Sequence, residues 1–371
     1  MITKAAIKNF KAFRDAEINL SNLNLFTGMN GMGKSSFIQS LLLLRQSQLN
    51  NPSKNIGLSL KGDLVDIGKG KDVYSINADS DLISIDIDYN YKSYIRSSFE
   101  YVAENDVLNA KDFQFNTIDN LDECSLFNNN FQYLKADRIS PDHTYRANIF
   151  QVQRLGTLGT HGEHTPLFIA LNKLKPLKLK SVRHEKATTD NLIDNIDAWL
   201  NEITPGTHVV STYLNDLDIV KLVYNFETAN DVTPDFSPMN VGFGFTYTLP
   251  VITAILSAKP DDLIIIENPE SHLHPHGQVK MGELIAKAAN DGVQIIVESH
   301  SDHLFNGIRV AIKLGFINPE DTSVFYFERD ESSKEHITNI SQPEIDKNGR
   351  LSFQPKGFFD ETAKQLDILL K

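Results

Sequence analysis

Residues 28–35 read Gly28-Met29-Asn30-Gly31-Met32-Gly33-Lys34-Ser35 and fit the pattern G-x-x-x-x-G-K-[ST]. The pattern has a physical meaning: glycines let successive backbone N–H groups curl around phosphate oxygens, the lysine reaches the terminal phosphates, and the serine hydroxyl ligates Mg²⁺. At ordinary Gly, Lys, Ser and Thr frequencies it arises by chance in only about one chain in a hundred of this length. Its surroundings also fit. Leu23 to Thr27 is a short apolar run that reads as a buried strand, and Lys34 to Gln48, with Phe37, Ile38 and Leu41 to Leu44, reads as a helix. Strand, glycine loop and helix together predict a nucleotide-binding α/β fold.

A P-loop needs a second strand ending in an acid that holds Mg²⁺ directly or through water. Leu263-Ile264-Ile265-Ile266-Glu267 supplies it: four apolar residues, then a carboxylate at the end of a strand where ligands sit in parallel sheets. Asn268-Pro269-Glu270 follows at once. A third run, Ile295-Ile296-Val297-Glu298, ends in Ser299-His300-Ser301-Asp302, where His300 is placed to sense a γ-phosphate and either serine to cap the next helix. Helices are expected at Tyr247 to Ala258, Gln278 to Ala289 and Ser301 to Leu314, an alternation that predicts parallel strands with crossover helices. Upstream, Ile2 to Phe10 and Ala16 to Leu20 read as strands around a turn at Phe13 to Asp15. From Leu64 to about Arg138, including Leu82 to Tyr94 and Phe131 to Ala136, the alternation predicts a mostly antiparallel β section. Helices at Leu167 to Leu174 and Asn191 to Ile203 and strands at His208 to Leu214 and Asp218 to Phe226 complete the middle, and Asn50 to Asn55 and Asp330 to Glu335 read as exposed loops.

The 371 residues carry 48 acidic and 36 basic side chains, a net charge of −12, which excludes a surface that binds nucleic acid everywhere but leaves room for one basic patch. A hydrophobic fraction of 41% excludes a disordered chain. The single cysteine, Cys124, forms no internal disulfide and no thiolate metal site, which points to a reducing compartment. With no apolar run of about 20 residues and no signal-peptide pattern, a cytoplasmic location is expected.

Given these elements, the chain resembles the ABC-class, AAA-type ATPase heads of the RecF, SMC and OLD family. The carrying residues are Ile7-Lys8-Asn9-Phe10-Lys11-Ala12-Phe13, the P-loop through Ser36, Glu267-Asn268-Pro269-Glu270-Ser271-His272-Leu273-His274-Pro275, and Val297 to Asp302. Asn240-Val241-Gly242-Phe243-Gly244-Phe245-Thr246 looks like the ABC signature segment, which in such families closes on the γ-phosphate held by another subunit. The resemblance implies one head in two lobes, a nucleotide-binding core of residues 1–50 and 238–371 around an inserted β/α lobe, 51–237. It implies ATP and Mg²⁺ as cofactors and an ATP-sandwiched homodimer. Mapped onto this chain, Gly28, Asn30, Gly31, Gly33, Lys34, Ser35 and Ser36 bind phosphate, Ser35 and Glu267 hold Mg²⁺, and Gly242, Gly244 and Thr246 are the signature contacts. His274 is a D-loop residue and His300 the switch histidine. Where the family reads Asp-Glu-Pro, this chain reads Glu267-Asn268-Pro269. An amide orients water but takes no proton at neutral pH, so slow hydrolysis or a substitute base, Glu270 or Glu298, is expected. Gln39, Gln46 and Asp66 to Asp72 are the candidates for the Q-loop.

The stretch between P-loop and signature holds neither sustained heptads nor a C-x-x-C hook, and the 71 residues after His300 leave no room for a TOPRIM nuclease. A stand-alone head is expected, of the kind encoded in bacterial DNA-repair or phage-defence operons, working with a separate nuclease or toxin effector. Lys173, Lys175, Lys178, Lys180, Arg183 and Lys186 form the candidate DNA patch, although a solvated face explains such clusters more often. Two other functions remain open. One is a nucleotide-sensing scaffold with little turnover, which Asn268 favours; the other is a metal-dependent hydrolase built on His272, His274, His276, His300 and His303.

Overall fold

Alternation in residues 2–19 builds the antiparallel part of the protein. In the computed structural model, which describes residues 1–50, 57–90, 92–115, 123–229, 231–329, 337–355, 357–359 and 361–370, strand β1 (Ile2–Phe10) pairs with β2 (Phe13–Asn19). The turn is tighter than the sequence suggests. Phe10 already opposes Phe13, because Lys11 takes the left-handed conformation at φ 49° and the chain reverses over two residues. Next come β3 (Leu23–Gly28), α1 (Lys34–Asn50), β4 (Leu58–Ser59), α2 (Gly70–Val73), β5 (Leu82–Tyr89), β6 (Ser93–Glu100), β7 (Val107–Leu108) and β8 (Ala110–Phe115). The sheet order is β2-β1-β5-β6-β8, antiparallel throughout, and the alternate burial along β5 and β6 shows one face on the core.

The chain then enters a second compact unit, comprising Asn129–Asp321 and Ile345–Arg350. Its elements are β9 (Phe131–Leu134), β10 (Tyr145–Arg146), α3 (Thr165–Asn172), α4 (Leu192–Ile203), β11 (Thr207–Leu214), β12 (Ile219–Phe226), α5 (Phe243–Ser257), β13 (Leu263–Glu267), α6 (Pro275–Asn290), β14 (Gln294–Glu298) and α7 (Asp302–Lys313). Strand β13 lies between β14 and β9 and runs parallel to both, so Ile265 faces Ile296 on one side and Tyr133 on the other. Residues 131–134 therefore belong to a parallel sheet rather than to the antiparallel section expected from their alternation. Their register with Leu263–Ile266 decides it, and no local pattern encodes that partner. Strands β11 and β12 form a hairpin with β10 at its edge.

After residue 321 the chain returns to the first unit as β15 (Thr322–Arg329), β16 (Thr338–Ser341) and α8 (Glu361–Leu369). There β15 runs parallel to β3, with Phe327 opposite Gly28, and antiparallel to β16. The two units, Met1–Asn128 with Thr322–Glu344 and Leu351–Lys371, and the remainder, divide the chain elsewhere than the expected boundaries at 50/51 and 237/238. The reason is strand pairing: β5 bonds to β1 and β9 bonds to β13, so each half of the middle stretch is joined to a different sheet. The loop expected at Asn50 to Asn55 lies outside the described residues except for Asn50, which ends α1, and that at Asp330 to Glu335 lies outside them altogether.

Candidate nucleotide-binding site

In the first unit the P-loop rests on an aromatic floor. Phe26 of β3 meets Phe37 of α1 at 5.3 Å between ring centroids and Phe325 and Phe327 of β15 at 5.4 and 5.2 Å, while Phe13 of β2 meets Phe37 at 6.1 Å. All but the tilted Phe26–Phe327 pair are edge-to-face, and such pairs each add about 1 kcal/mol beyond burial. Gly28, Gly31 and Gly33 have φ of 136°, 76° and 96°, the left-handed backbone that turns N–H groups inward. A Cβ on Gly28 would lie 2.2 Å from the Phe327 carbonyl oxygen, and one on Gly33 3.0 Å from the Phe13 ring, whereas one on Gly31 would meet nothing within 4 Å. Two of the glycines thus serve the packing below the loop, and Gly31 serves its curvature.

Lys34, 3% exposed, donates from Nζ to the carbonyl oxygens of Gly28 and Met29, both at 2.9 Å, so its cation already lies inside the loop. Thr338 of β16 donates from Oγ1 to the Met32 oxygen at 3.1 Å and closes the far side. Asn30 and Gly31 are exposed at the loop tip, and Ser35 and Ser36 are half-buried at the start of α1, where helix N–H groups favour an anion. Backbone and lysine fit a polyphosphate, and the Ser35 hydroxyl beside them is a hard oxygen donor of the kind Mg²⁺ takes alongside phosphate oxygens. Of the Q-loop candidates, Gln46 bonds Ser59 O, Val65 O and Val65 N and is buried in that work, while Gln39 accepts from Lys11 Nζ at 2.6 Å.

In the second unit Glu267 ends β13 with both carboxylate oxygens engaged: the Tyr133 hydroxyl donates to Oε1 at 2.8 Å and the Ala136 N–H to Oε2 at 3.3 Å. Burial first, and then the neighbouring Glu267 charge, push the Tyr133 phenol far above its usual range, so it remains a donor. Asn268 follows in the left-handed region at φ 44°, its N–H donating to Glu298 O at 2.8 Å. Glu270 Oε1 accepts from the His300 N–H at 2.9 Å, which ties the ends of β13 and β14 together. Glu298 itself is 4% exposed. Arg138, to which no motif assigns a role, reaches this turn from the segment after β9: Nη2 donates to Glu267 O and Nη1 to Asn268 O, the latter at 3.2 Å.

Three family models match the chain: "AAA ATPase domain" over residues 1–166, "AAA domain, putative AbiEii toxin, Type IV TA system" over 128–306, and "Protein of unknown function (DUF3696)" over 317–369. Among solved structures, an SMC head bound to the C-terminal winged-helix domain of ScpA matches with a TM-score of 0.56 at 14% identity, covering 93% of this chain and 98% of that one. An SMC head with an extended coiled coil, bound to the C-terminal domain of ScpA and derived from Pyrococcus furiosus, gives 0.51 at 13% identity, covering 100% and 99%. No curated protein matches. The chain has the fold of an SMC-type ATPase head.

The segment expected to be the signature opens α5 four residues earlier than the sequence suggests, with Gly242 in an extended conformation at the N-cap. Gly242 is exposed, Gly244 lies so close to the His272 carbonyl that a Cβ would sit 2.9 Å from it, and Phe243 is 60% exposed. Thr246 is 2% exposed, and its Oγ1 is buried without a hydrogen-bond partner among the described residues. The histidines disperse. His272 packs on Tyr247 at 4.6 Å, His274 caps α6 as expected of a residue before Pro275, and His276 lies 4.0 Å from Glu202. Among the described residues no three His, Cys, Asp or Glu side chains are disposed to hold a metal, so the histidine run forms no ligand set.

The six basic residues 173–186 are all exposed, but Arg183 is paired with Asp190 and Lys186 with Glu202 at 2.8 Å. Lys173, Lys175, Lys178 and Lys180 form no ion pair among the described residues. Also among those residues, no helix is long and apolar enough to cross a membrane.

Proposed function

We propose that this head is an ATP-driven molecular switch. ATP with Mg²⁺ is held by Gly28, Asn30, Gly31, Gly33, Lys34, Ser35 and Ser36, and two copies close on the nucleotide through Gly242 and Gly244; hydrolysis reopens the pair. The carrying observation is the P-loop itself, with three left-handed glycines and Lys34 folded into the loop between a buried strand and helix. Mg²⁺, held by Ser35 and Glu267, would supply charge neutralisation on the β- and γ-phosphates. This chain's residues do the rest: Glu267 is oriented by Tyr133 and Ala136, Asn268 orients water, and Glu270 takes the proton that Asn268 cannot, with His300 beside it.

The biological setting we propose is bacterial DNA repair or phage defence with a separate nuclease or toxin effector in the cytoplasm. It is supported by the toxin–antitoxin wording of one matching family and by the ScpA-bound SMC heads of similar fold. A second reading, a nucleotide-sensing scaffold with little turnover, is favoured by Asn268 in the place of the usual carboxylate. ATP turnover of wild type and Lys34→Ala, with and without duplex DNA, separates the two. Turnover above about 0.1 per second that vanishes in the variant supports the switch, being within two orders of ordinary enzyme rates, whereas tight ATP binding without turnover supports the scaffold.

A further inference from the structure

We infer that Arg138 is the positioning residue of the acid turn, a fork that holds Glu267 and Asn268 in working geometry for the hydrolysis proposed above. Its two terminal nitrogens donate to successive carbonyls, Glu267 O and Asn268 O, the two peptide units between which Asn268 adopts its left-handed φ of 44°. Those carbonyls belong to the last residue of β13 and the residue after it, where the sheet ladder ends. A planar guanidinium offers two donor nitrogens in a fixed fork, one for each acceptor, which the single nitrogen of an ammonium does not reproduce. Arg138 is 4% exposed, and burial pulls its guanidinium down to about 10, against the attraction of Glu270 and Glu267, so it is still cationic at neutral pH.

A buried cation carrying only a structural load would be a poor choice, since well-packed apolar residues stabilise as much. Its surroundings point to chemistry instead. Arg138 Nε and Glu270 Oε2 are both buried without a hydrogen-bond partner, a donor and an acceptor left open next to the residues assigned to hydrolysis. Segment 133–138 therefore contributes three separate groups to one turn: the Tyr133 hydroxyl and Ala136 N–H on the Glu267 carboxylate, and the Arg138 fork on the backbone behind it. Side chain and main chain of the same acid are fixed from one segment.

The test measures steady-state ATP hydrolysis and ATP binding for wild type, Lys34→Ala, Arg138→Ala and Arg138→Lys, with circular dichroism of each. The expected result is a kcat lowered about 100-fold in Arg138→Ala with KM changed less than about threefold, as for a displacement of catalytic groups by an ångström. Arg138→Lys keeps the charge but loses the fork and falls about tenfold, and added guanidinium chloride restores part of the Arg138→Ala rate. If Arg138→Ala fails to fold, Arg138→Lys carries the test. Turnover of both variants within about twofold of wild type overturns the proposal, as does a kcat loss matched by an equal loss of ATP affinity and untouched by guanidinium. Wild-type turnover indifferent to Lys34→Ala overturns the ATPase reading itself, and this proposal with it.

Discussion

Single atoms decide the P-loop. Gly28 faces the Phe327 carbonyl with room for a hydrogen and not for a methyl, and its φ of 136° is one that other residues rarely adopt. Gly28→Ala should therefore destabilise the protein by about 2 kcal/mol or more, read as a fall in Tm, while Gly31→Ala, in open space but also left-handed, should cost about 1 kcal/mol. Equal Tm values for the two variants would show that the Phe327 contact is not limiting. Tyr133→Phe removes one donor from the Glu267 carboxylate and should lower kcat about tenfold with little change in melting temperature. Most of these residues are legible in the sequence because the motif names them. Arg138 and Tyr133 are not, because their partners lie about 130 residues away and the local alternation around Tyr133 says nothing of them.

Helix packing is the next scale up. Helices α6 and α7 touch backbone to backbone at two glycines: a Cβ on Gly282 would lie 2.4 Å from Leu304 O, and one on Gly307 2.3 Å from Val279 O. Gly307→Ala must push the helices apart and should cost about 2 kcal/mol, measured by chemical denaturation. Ser301 caps α7 by accepting from the Leu304 N–H at 2.9 Å, so Ser301→Ala should cost about 1 kcal/mol, as other N-cap deletions do. The hairpin and α4 meet at His208, which bridges Asp197 and Glu227, each at 3.0 Å. Burial opposes the imidazolium, but the hydrogen bonds to Asp197 and Glu227 outweigh it and hold His208 above the usual histidine range. A pKa raised on folding gives stability that is full below the unfolded value and lost as pH rises through the folded one. The Tm gap between wild type and His208→Gln should accordingly be widest in mild acid and narrow towards alkaline pH. A gap constant with pH would mean that the bridge carries no charge. At this scale the sequence located the main helices and strands as far as α7 but left β10, β15, β16 and α8 unread, and its misplaced bounds have physical causes. The helix α5 runs through Gly244 and Pro250 because Gly242 caps it earlier, and the β1–β2 turn shortens because Lys11 accepts a positive φ.

For the molecule as a whole, a charge of −12 makes any DNA contact a local one, and the exposed lysines at 173, 175, 178 and 180 are the first place to test. Reversing all four to glutamate should abolish duplex-DNA retention at low salt, and wild-type binding should weaken steeply as salt is raised. Retention unchanged by the reversal would move the DNA contact elsewhere. Closure of two copies on ATP predicts that Glu270→Gln with ATP and Mg²⁺ doubles its mass by light scattering while Lys34→Ala does not; a monomer in both would refute the sandwich. The sequence by itself determined the P-loop pattern and the identity of β3, α1 and β13, because each is written in consecutive residues. Only the tertiary structure decided that β9 joins a parallel sheet, that the boundary between the compact units falls near residue 128, that the histidines part company, and that Arg138 reaches the acid turn. Those outcomes depend on strand register and on hydrogen bonds between segments far apart in the chain, and local periodicity carries no information about either.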